Sequence, residues 1–286
     1  MHRRGFLSSE EAKGFQLHRR GRWSEMHCRG RWKSSGNYGL INIYAESEIG
    51  RRQSGHKSGN GGLGLKPRLT LAEVRTAEGR RLVLSEQDGA FAINLNGQEL
   101  MHSRAHASEL LLGELGVELL KTTKAARVLV GGLGLGYTLA QVLAGLGSDA
   151  VVDVAELLPA VVEWNRTFLQ GLNGTALDDP RVQLHVGDAA KLIQQAKPGT
   201  YDALMLDLDN GPVAMVASSN KNIYSRTGLF GVKRALIAGG RAIFWSASTD
   251  AAFESRLENA GFHVEAVPAK VHANAKRAAY VLYVAE

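Results

Sequence analysis

One glycine-rich stretch limits the folds open to this chain more than any other feature. The apolar residues 128–130 have the length of a strand, and a segment with helical patterning follows four closely spaced glycines: Gly131, Gly132, Gly134 and Gly136. Glycine has no Cβ and adopts positive φ at little cost, so the backbone of such a strand-to-helix turn can approach a ligand closely. The stretch predicts either a nucleotide site on a β-α unit or a tight turn without a ligand.

Three acidic residues follow three further apolar runs of strand length. They are Glu156, Asp188 and Asp207. A single acid after a strand is common, because Asp also caps helices, whereas three in order after a glycine-rich turn indicate a ligand crevice at the strand ends. Glu156 could accept hydrogen bonds from two ribose hydroxyls, and Asp188 from an adenine amino group. Asp207 would then lie beside the reacting centre.

The spacing of the glycines separates two kinds of nucleotide site. Gly132, Gly134 and Gly136 form G-x-G-x-G, whereas the dinucleotide fingerprint is G-x-G-x-x-G. The observed spacing resembles that of class I S-adenosylmethionine (AdoMet) methyltransferases, whose cofactor has no phosphate to bind. The Gly187-Asp188 pair also fits this type, so we favour an AdoMet-like nucleoside over a dinucleotide.

The positive charge of the chain is concentrated at one end. The net charge is +6, but residues 1–68 hold 14 Lys and Arg against 5 Asp and Glu, and the remainder is slightly acidic. Residues 1–67 are rich in Gly, Ser and Arg, and predict a basic, mostly disordered tail. Arg alternates with Trp in residues 18–23 and 27–32, a pattern that could bind single-stranded nucleic acid, with a solvated leader as the alternative.

The cysteine count and the hydropathy of the chain limit the cellular compartment and the kinds of metal or membrane site that we expect. The only cysteine is Cys28, which excludes an internal disulfide and a metal site built from several cysteines. No run reaches the roughly 18 apolar residues of a membrane span, and the histidines lack ligand spacing. We therefore expect a cytoplasmic protein without a metal or a membrane partner.

The remaining sequence divides into two parts. Residues 68–122 show short alternating runs separated by hairpin signals and then a helical pattern, which predicts a small antiparallel β unit with a linking helix. Residues 123–286 alternate strands and helices, with the last strand a candidate for antiparallel pairing. The predicted fold class is α/β, a Rossmann-like doubly wound sheet of AdoMet-methyltransferase type behind a small N-terminal antiparallel β unit.

Several motifs in residues 69–286 resemble the spermidine synthase family of aminopropyltransferases. The longest is D-P-R-V-x-x-x-x-G-D over residues 179–188. Shorter matches are Tyr201-Asp202, Gly211-Pro212, residues 232–236 ahead of Gly239-Gly240, and Gly97-Gln98 with Glu109 eleven residues beyond the glutamine. The resemblance implies an AdoMet-methyltransferase fold with a small β domain in front.

The resemblance also implies roles for particular residues. The donor would be decarboxylated AdoMet or AdoMet, bound by Gln98, Gly132, Gly134, Gly136, Glu156 and Asp188. The family carries D-x-x-D after the fourth strand, where this chain reads Asp207-Leu208-Asp209-Asn210, so Asp207 and Asp209 are the predicted catalytic residues. In the family an acid stands in the place of Gly134 and holds the amine of the aminopropyl chain.

Three functions stay open at this point. The first is aminopropyl transfer to a polyamine or diamine acceptor. The second is methyl transfer from AdoMet to a small acceptor, which the missing acid at Gly134 would favour. The third is a non-catalytic nucleotide-binding module. The expected partner is a small-molecule amine, with a homodimer left open and nucleic acid expected only through the basic tail.

Overall fold

The computed structural model describes residues 67–76, 78–208 and 222–286 in full and, within residues 15–45, the backbone of three strands. By internal contacts the chain divides into two compact units. The first comprises Met1–Gly89 and Ile93–Glu99, and the second comprises Ala90–Ala92 and Leu100–Glu286. The domain limits inferred from the sequence, after residues 67 and 122, stay a prediction.

The first sheet is a meander in which each strand is hydrogen-bonded to the next along the chain. Its strands are β1 (Phe15–Arg20), β2 (Met26–Ser34), β3 (Asn37–Ala45), β4 (Leu69–Arg75), β5 (Arg81–Gln87), β6 (Ala90–Leu95) and β7 (Gln98–His102). Asp88-Gly89 and Asn96-Gly97 join consecutive strands, and all four residues have positive φ. Two-residue turns of this kind match the twist of paired strands, which is why Asp-Gly and Asn-Gly favour hairpins. The small antiparallel unit expected from these signals is confirmed.

Strands β1, β2 and β3 lie within residues 1–67, the segment for which composition predicts a basic, mostly disordered tail. They pair antiparallel with one another, and β3 pairs with β4 through Ile41 and Val74, Asn42 and Glu73, and Ile43 and Ala72. Backbone pairing supplies hydrogen bonds that composition does not reveal. The other residues of 1–66 lie outside the described part of the chain.

The second sheet lies wholly in the second unit and has the order β10-β9-β8-β11-β12-β14-β13. Its strands are β8 (Arg127–Gly131), β9 (Val151–Glu156), β10 (Val182–Val186), β11 (Tyr201–Leu206), β12 (Leu236–Ser246), β13 (Val264–Ala269) and β14 (Tyr280–Ala285). The pairs from β10 to β12 are parallel, and β14 runs antiparallel to both neighbours. The strand order reverses between β8 and β11, where an open sheet forms its ligand crevice.

Helices cover both faces of this sheet. They are α1 (Ala107–Val117), α2 (Tyr137–Gly145), α3 (Pro159–Thr167), α4 (Gln170–Asn173), α5 (Ala189–Gln195), α6 (Arg226–Ala235) and α7 (Ala251–Asn259). Leu204 belongs to the buried core formed with α5, α6 and α7, whereas its neighbour Met205 lies against Gly116 of α1. Successive strand residues point to opposite faces, so the sheet is wound on both sides and the predicted fold class is confirmed.

A buried carboxylate links three strands of the sheet. The Asp153 carboxylate on β9 is fully buried and lies 2.7 Å from the Arg127 guanidinium on β8 and 2.6 Å from His185 Nε2 on β10. Burial, with the Asp153 charge, raises the pKa of Tyr201 to about 12. A carboxylate without water needs such partners, so Arg127 and His185 stabilise the buried Asp153.

Candidate active site

Three backbone hydrogen bonds hold the ends of four neighbouring strands together. Gly132 donates to the carbonyl of Ala155 at 2.9 Å, and Asp207 donates to the carbonyl of Gly131 at 2.9 Å. Gly187 donates to the carbonyl of Glu156 at 2.8 Å. The ends of β10, β9, β8 and β11 therefore form one edge, which carries Glu156, Asp188, Asp207 and the glycine loop.

All three loop glycines have positive φ, but a Cβ added at each would meet different neighbours. At Gly132 the carbonyl oxygen of Asp207 occupies the place that a Cβ would need. At Gly136 a Cβ would lie 2.5 Å from Asn173 Nδ2 and 2.8 Å from Asn165 Oδ1. At Gly134, with φ of 53°, a Cβ would meet, within the described part of the chain, only the flexible Met101 thioether, at 3.3 Å. Two glycines are thus required by the packing of the protein, and Gly134 is the one with room beside it.

Glu156 connects the end of β9 to the glycine loop. Its Oε2 accepts a hydrogen bond from the Leu133 amide at 2.9 Å, and its Oε1 accepts one from the Leu158 amide at 2.7 Å. The residue is 7% exposed. Each carboxylate oxygen has two lone pairs, so the side chain can accept further hydrogen bonds while both amides hold it in place.

The other predicted site residues differ in their positions and in their exposure. Asp188 is the N-cap of α5, and its Oδ1 accepts from the Ala190 amide at 2.8 Å. Asp207 follows β11 on the same edge and is partly exposed. Gln98 is exposed on β7, in the first unit. Asp209 lies outside the described residues.

Two asparagines support the loop and were missed in the sequence. Asn165 Nδ2 on α3 donates to the carbonyls of Gly134 and Val161, both at 2.9 Å. Asn173 Nδ2 donates to the Leu135 carbonyl at 3.0 Å and to Asn165 Oδ1 at 2.5 Å. A polar residue within the buried stripe of a helix was the available signal, because Asn165 follows Val161 by one helical turn.

The described residues offer no group of three or more His, Cys, Asp or Glu side chains placed to hold a metal ion. Within the same part of the chain, no helix combines the length and apolar character needed to cross a membrane.

Comparison with known proteins identifies the family. The model of the spermine/spermidine synthase domain matches residues 109–258, just over half of the chain. Spermine synthase of Arabidopsis thaliana is 34% identical over 113 residues, which are 40% of this chain and 30% of that protein. Putrescine N-methyltransferase 1 of Nicotiana tabacum is 33% identical over 114 residues, which are 40% of this chain and 28% of that protein.

The fold is also that of a solved structure. Spermidine synthase from Thermotoga maritima superposes with a TM-score of 0.52 at 15% identity, over 74% of this chain and 70% of that one. The alignments with the two curated relatives span less than a third of the length of either. The family match nevertheless includes Glu109, the glycine loop, Glu156, Asp188 and Asp207. The resemblance inferred from the sequence motifs is confirmed, and this chain belongs to the spermine/spermidine synthase domain family.

Proposed function

We propose that this chain is a transferase that binds decarboxylated AdoMet and moves its aminopropyl group to a polyamine or diamine. The observation that carries the proposal is Glu156, held by the amide of Leu158 after β9 and by the amide of Leu133 in the glycine loop. A carboxylate fixed in this way is preorganised to accept from paired hydroxyls. Family membership supports the reaction class.

The same edge supplies the other contacts of the proposed nucleoside site. Asp188 uses Oδ1 to cap α5, and Oδ2 would accept from the adenine amino group. The loop of Gly132, Gly134 and Gly136 would bring backbone close to the nucleoside. Gln98 on β7 belongs to the proposal from sequence alone.

The reaction requires a neutral amine next to an activated carbon. The amine lone pair forms a bond to the methylene carbon attached to the sulfonium, the carbon–sulfur bond breaks, and its electron pair stays on sulfur as a neutral thioether. The amine then loses one proton. We assign Asp207 to holding the amine and Asp209 to accepting that proton, because a positioned carboxylate can do both near neutral pH.

Methyl transfer from intact AdoMet is the second candidate. The specific observation in its favour is Gly134, because no acid stands at this point of the loop to hold an aminopropyl amine. The match to a putrescine N-methyltransferase supports the same alternative. Both candidates share the nucleoside site and an amine acceptor, and they differ only in the group transferred.

Calorimetry and mass spectrometry together test the proposal. We expect decarboxylated AdoMet to bind more tightly than AdoMet, and putrescine to gain an aminopropyl group while methylthioadenosine forms. Tighter binding of AdoMet with a methylated amine would establish the second candidate instead.

Glu156→Gln should weaken nucleoside binding about tenfold or more, the scale of a charge-assisted hydrogen bond. The matched control is Glu258→Gln, at an exposed position of α7. Absence of nucleoside binding would reject both candidates.

A further inference from the structure

Glu109 on α1 is a largely buried carboxylate whose nearby cationic group among the described residues is the imidazole of His106, which lowers the Glu109 pKa less than burial raises it. Its Oε2 accepts a hydrogen bond from Ser108 Oγ at 2.6 Å, and among the described residues no Lys or Arg forms an ion pair with it. Burial raises the pKa of Glu109, and the Ser108 hydroxyl offsets only part of this effect. A buried carboxylate is costly when ionised without a counter-charge, so a bound cation would stabilise it.

Two aromatic rings lie beside this carboxylate. His106 stacks on Tyr137, with ring centroids 4.3 Å apart and planes 14° from parallel. Both rings are fixed by the Ser103 carbonyl, which lies 3.0 Å from Tyr137 Oη and 2.7 Å from His106 Nδ1. Burial and the Glu109 charge both raise the pKa of Tyr137. Glu109, His106 and Tyr137 are each partly exposed, so a ligand can reach them.

The group borders the glycine loop. Tyr137 is the first residue of α2 and directly follows Gly136. Thr138 Oγ1 donates to the Glu109 carbonyl at 3.2 Å, which holds α1 against the start of α2. Met101, two residues before Ser103, places its thioether beside Gly134. The loop itself has no charged side chain between residues 131 and 136, so Glu109 supplies negative charge at this side of the crevice.

We propose that Glu109, with the stacked rings of His106 and Tyr137, binds the ammonium group of the amine substrate. This inference rests on the proposed function, since it assigns a binding residue for the amine that either transfer reaction uses. Ammonium fits the group because it donates to the carboxylate while its charge is attracted to the aromatic face of Tyr137, the ring that His106 stacks against. Because the reacting nitrogen must be neutral, the ammonium bound by Glu109 is a second nitrogen of the same molecule. The site therefore selects an amine that carries a cationic amino group at its other end.

The test is direct binding of putrescine to the full chain, measured by calorimetry without nucleoside and again with methylthioadenosine. Glu109→Gln should raise the Kd of putrescine about tenfold or more, and Glu109→Asp should raise it less because the charge is kept. His106→Ala should raise it about threefold through the lost ring. Glu114→Gln, at an exposed position of the same helix, should leave it unchanged. Methylthioadenosine affinity should be the same in all four variants.

The outcomes separate this inference from the proposed function. Equal putrescine affinity in Glu109→Gln and Glu114→Gln would overturn the amine site, even if nucleoside binding and transfer were intact. No binding of putrescine to the wild-type chain under either condition would also overturn it. If the wild-type chain does not bind methylthioadenosine, the proposed function is rejected instead. The amine site is still tested in that case, because the putrescine titration without nucleoside does not depend on nucleoside binding. Circular dichroism of each variant checks that it folds. If Glu109→Gln is unfolded, the smaller rise in the Kd of putrescine expected for Glu109→Asp tests the inference instead.

Discussion

At the scale of single residues, the same residue type serves different needs within a few positions. Gly132 is required because the chain after β11 passes against its Cα, whereas a Cβ at Gly134 would meet, among the described residues, only the Met101 side chain. Asp188 likewise has two separable tasks, since one oxygen caps a helix and the other is proposed to bind adenine. A sequence pattern cannot distinguish a structural task from a binding task when one side chain performs both.

The two tasks of Asp188 can be separated by substitution. Asp188→Ser keeps a good N-cap, so the free energy of unfolding should change by less than about 0.5 kcal/mol, while nucleoside affinity should fall about tenfold through loss of the second oxygen. Asp188→Ala should lose the affinity and also about 1 kcal/mol of stability. Chemical denaturation and calorimetry on the same preparations measure both quantities. Unchanged affinity in Asp188→Ser would confine Asp188 to its capping task.

At the scale of elements, the D-P-R-V motif that carries the family resemblance ties a helix end to a strand start. Arg181 donates through Nη1 to the carbonyls of Leu143 and Leu146, both at 2.9 Å, at the C-terminal end of α2. Asp179 holds the guanidinium through Nε at 2.9 Å and Nη2 at 2.8 Å. A cation at a helix C-terminus satisfies carbonyls that lack partners within the helix. The motif therefore fixes α2, and with it the glycine loop, relative to β10.

Arg181→Met should destabilise the protein without abolishing nucleoside binding. We expect a loss of about 2 kcal/mol in the free energy of unfolding, because charged hydrogen bonds to Asp179 and to the helix carbonyls are removed. The hydrogen bond from Arg181 lowers the pKa of Asp179 from 3.8, so this stabilisation is present above pH 3.8 and lost as pH falls through the lower folded value. Denaturant titration at pH 7 and near pH 3 should show the difference from wild type shrinking in acid. A difference that does not shrink at the lower pH would argue against the Asp179 ion pair as a source, because only the bonds to the helix carbonyls are independent of the Asp179 charge.

At the scale of the whole molecule, hydrophobic periodicity predicted every strand of the second sheet and the main helices beside it, because a parallel sheet covered by helices leaves a strong apolar pattern. The acids at the strand ends were also predicted, since chain order alone places them after successive strands. Asn165, His106 and Tyr137 were not assigned to the site, because their roles depend on contacts between residues distant in sequence. The pairing of β3 with β4 was not predicted, because residues 38–44 carry an apolar run but their partner strand begins only at Leu69, and a local pattern does not indicate which distant strand it pairs with.

Deletion of residues 1–66 tests what the first three strands contribute. Strand β4 would lose its partner β3 and expose backbone donors and acceptors at a sheet edge, so we expect a lower melting temperature for the first unit or self-association of the shortened chain. Nucleoside affinity should change less than about threefold, because the proposed nucleoside residues other than Gln98 lie in the second unit. Light scattering detects the association, and calorimetry with methylthioadenosine measures the affinity. A large loss of affinity in a shortened chain that stays monomeric and folded would mean that residues 1–66 contribute to the nucleoside site.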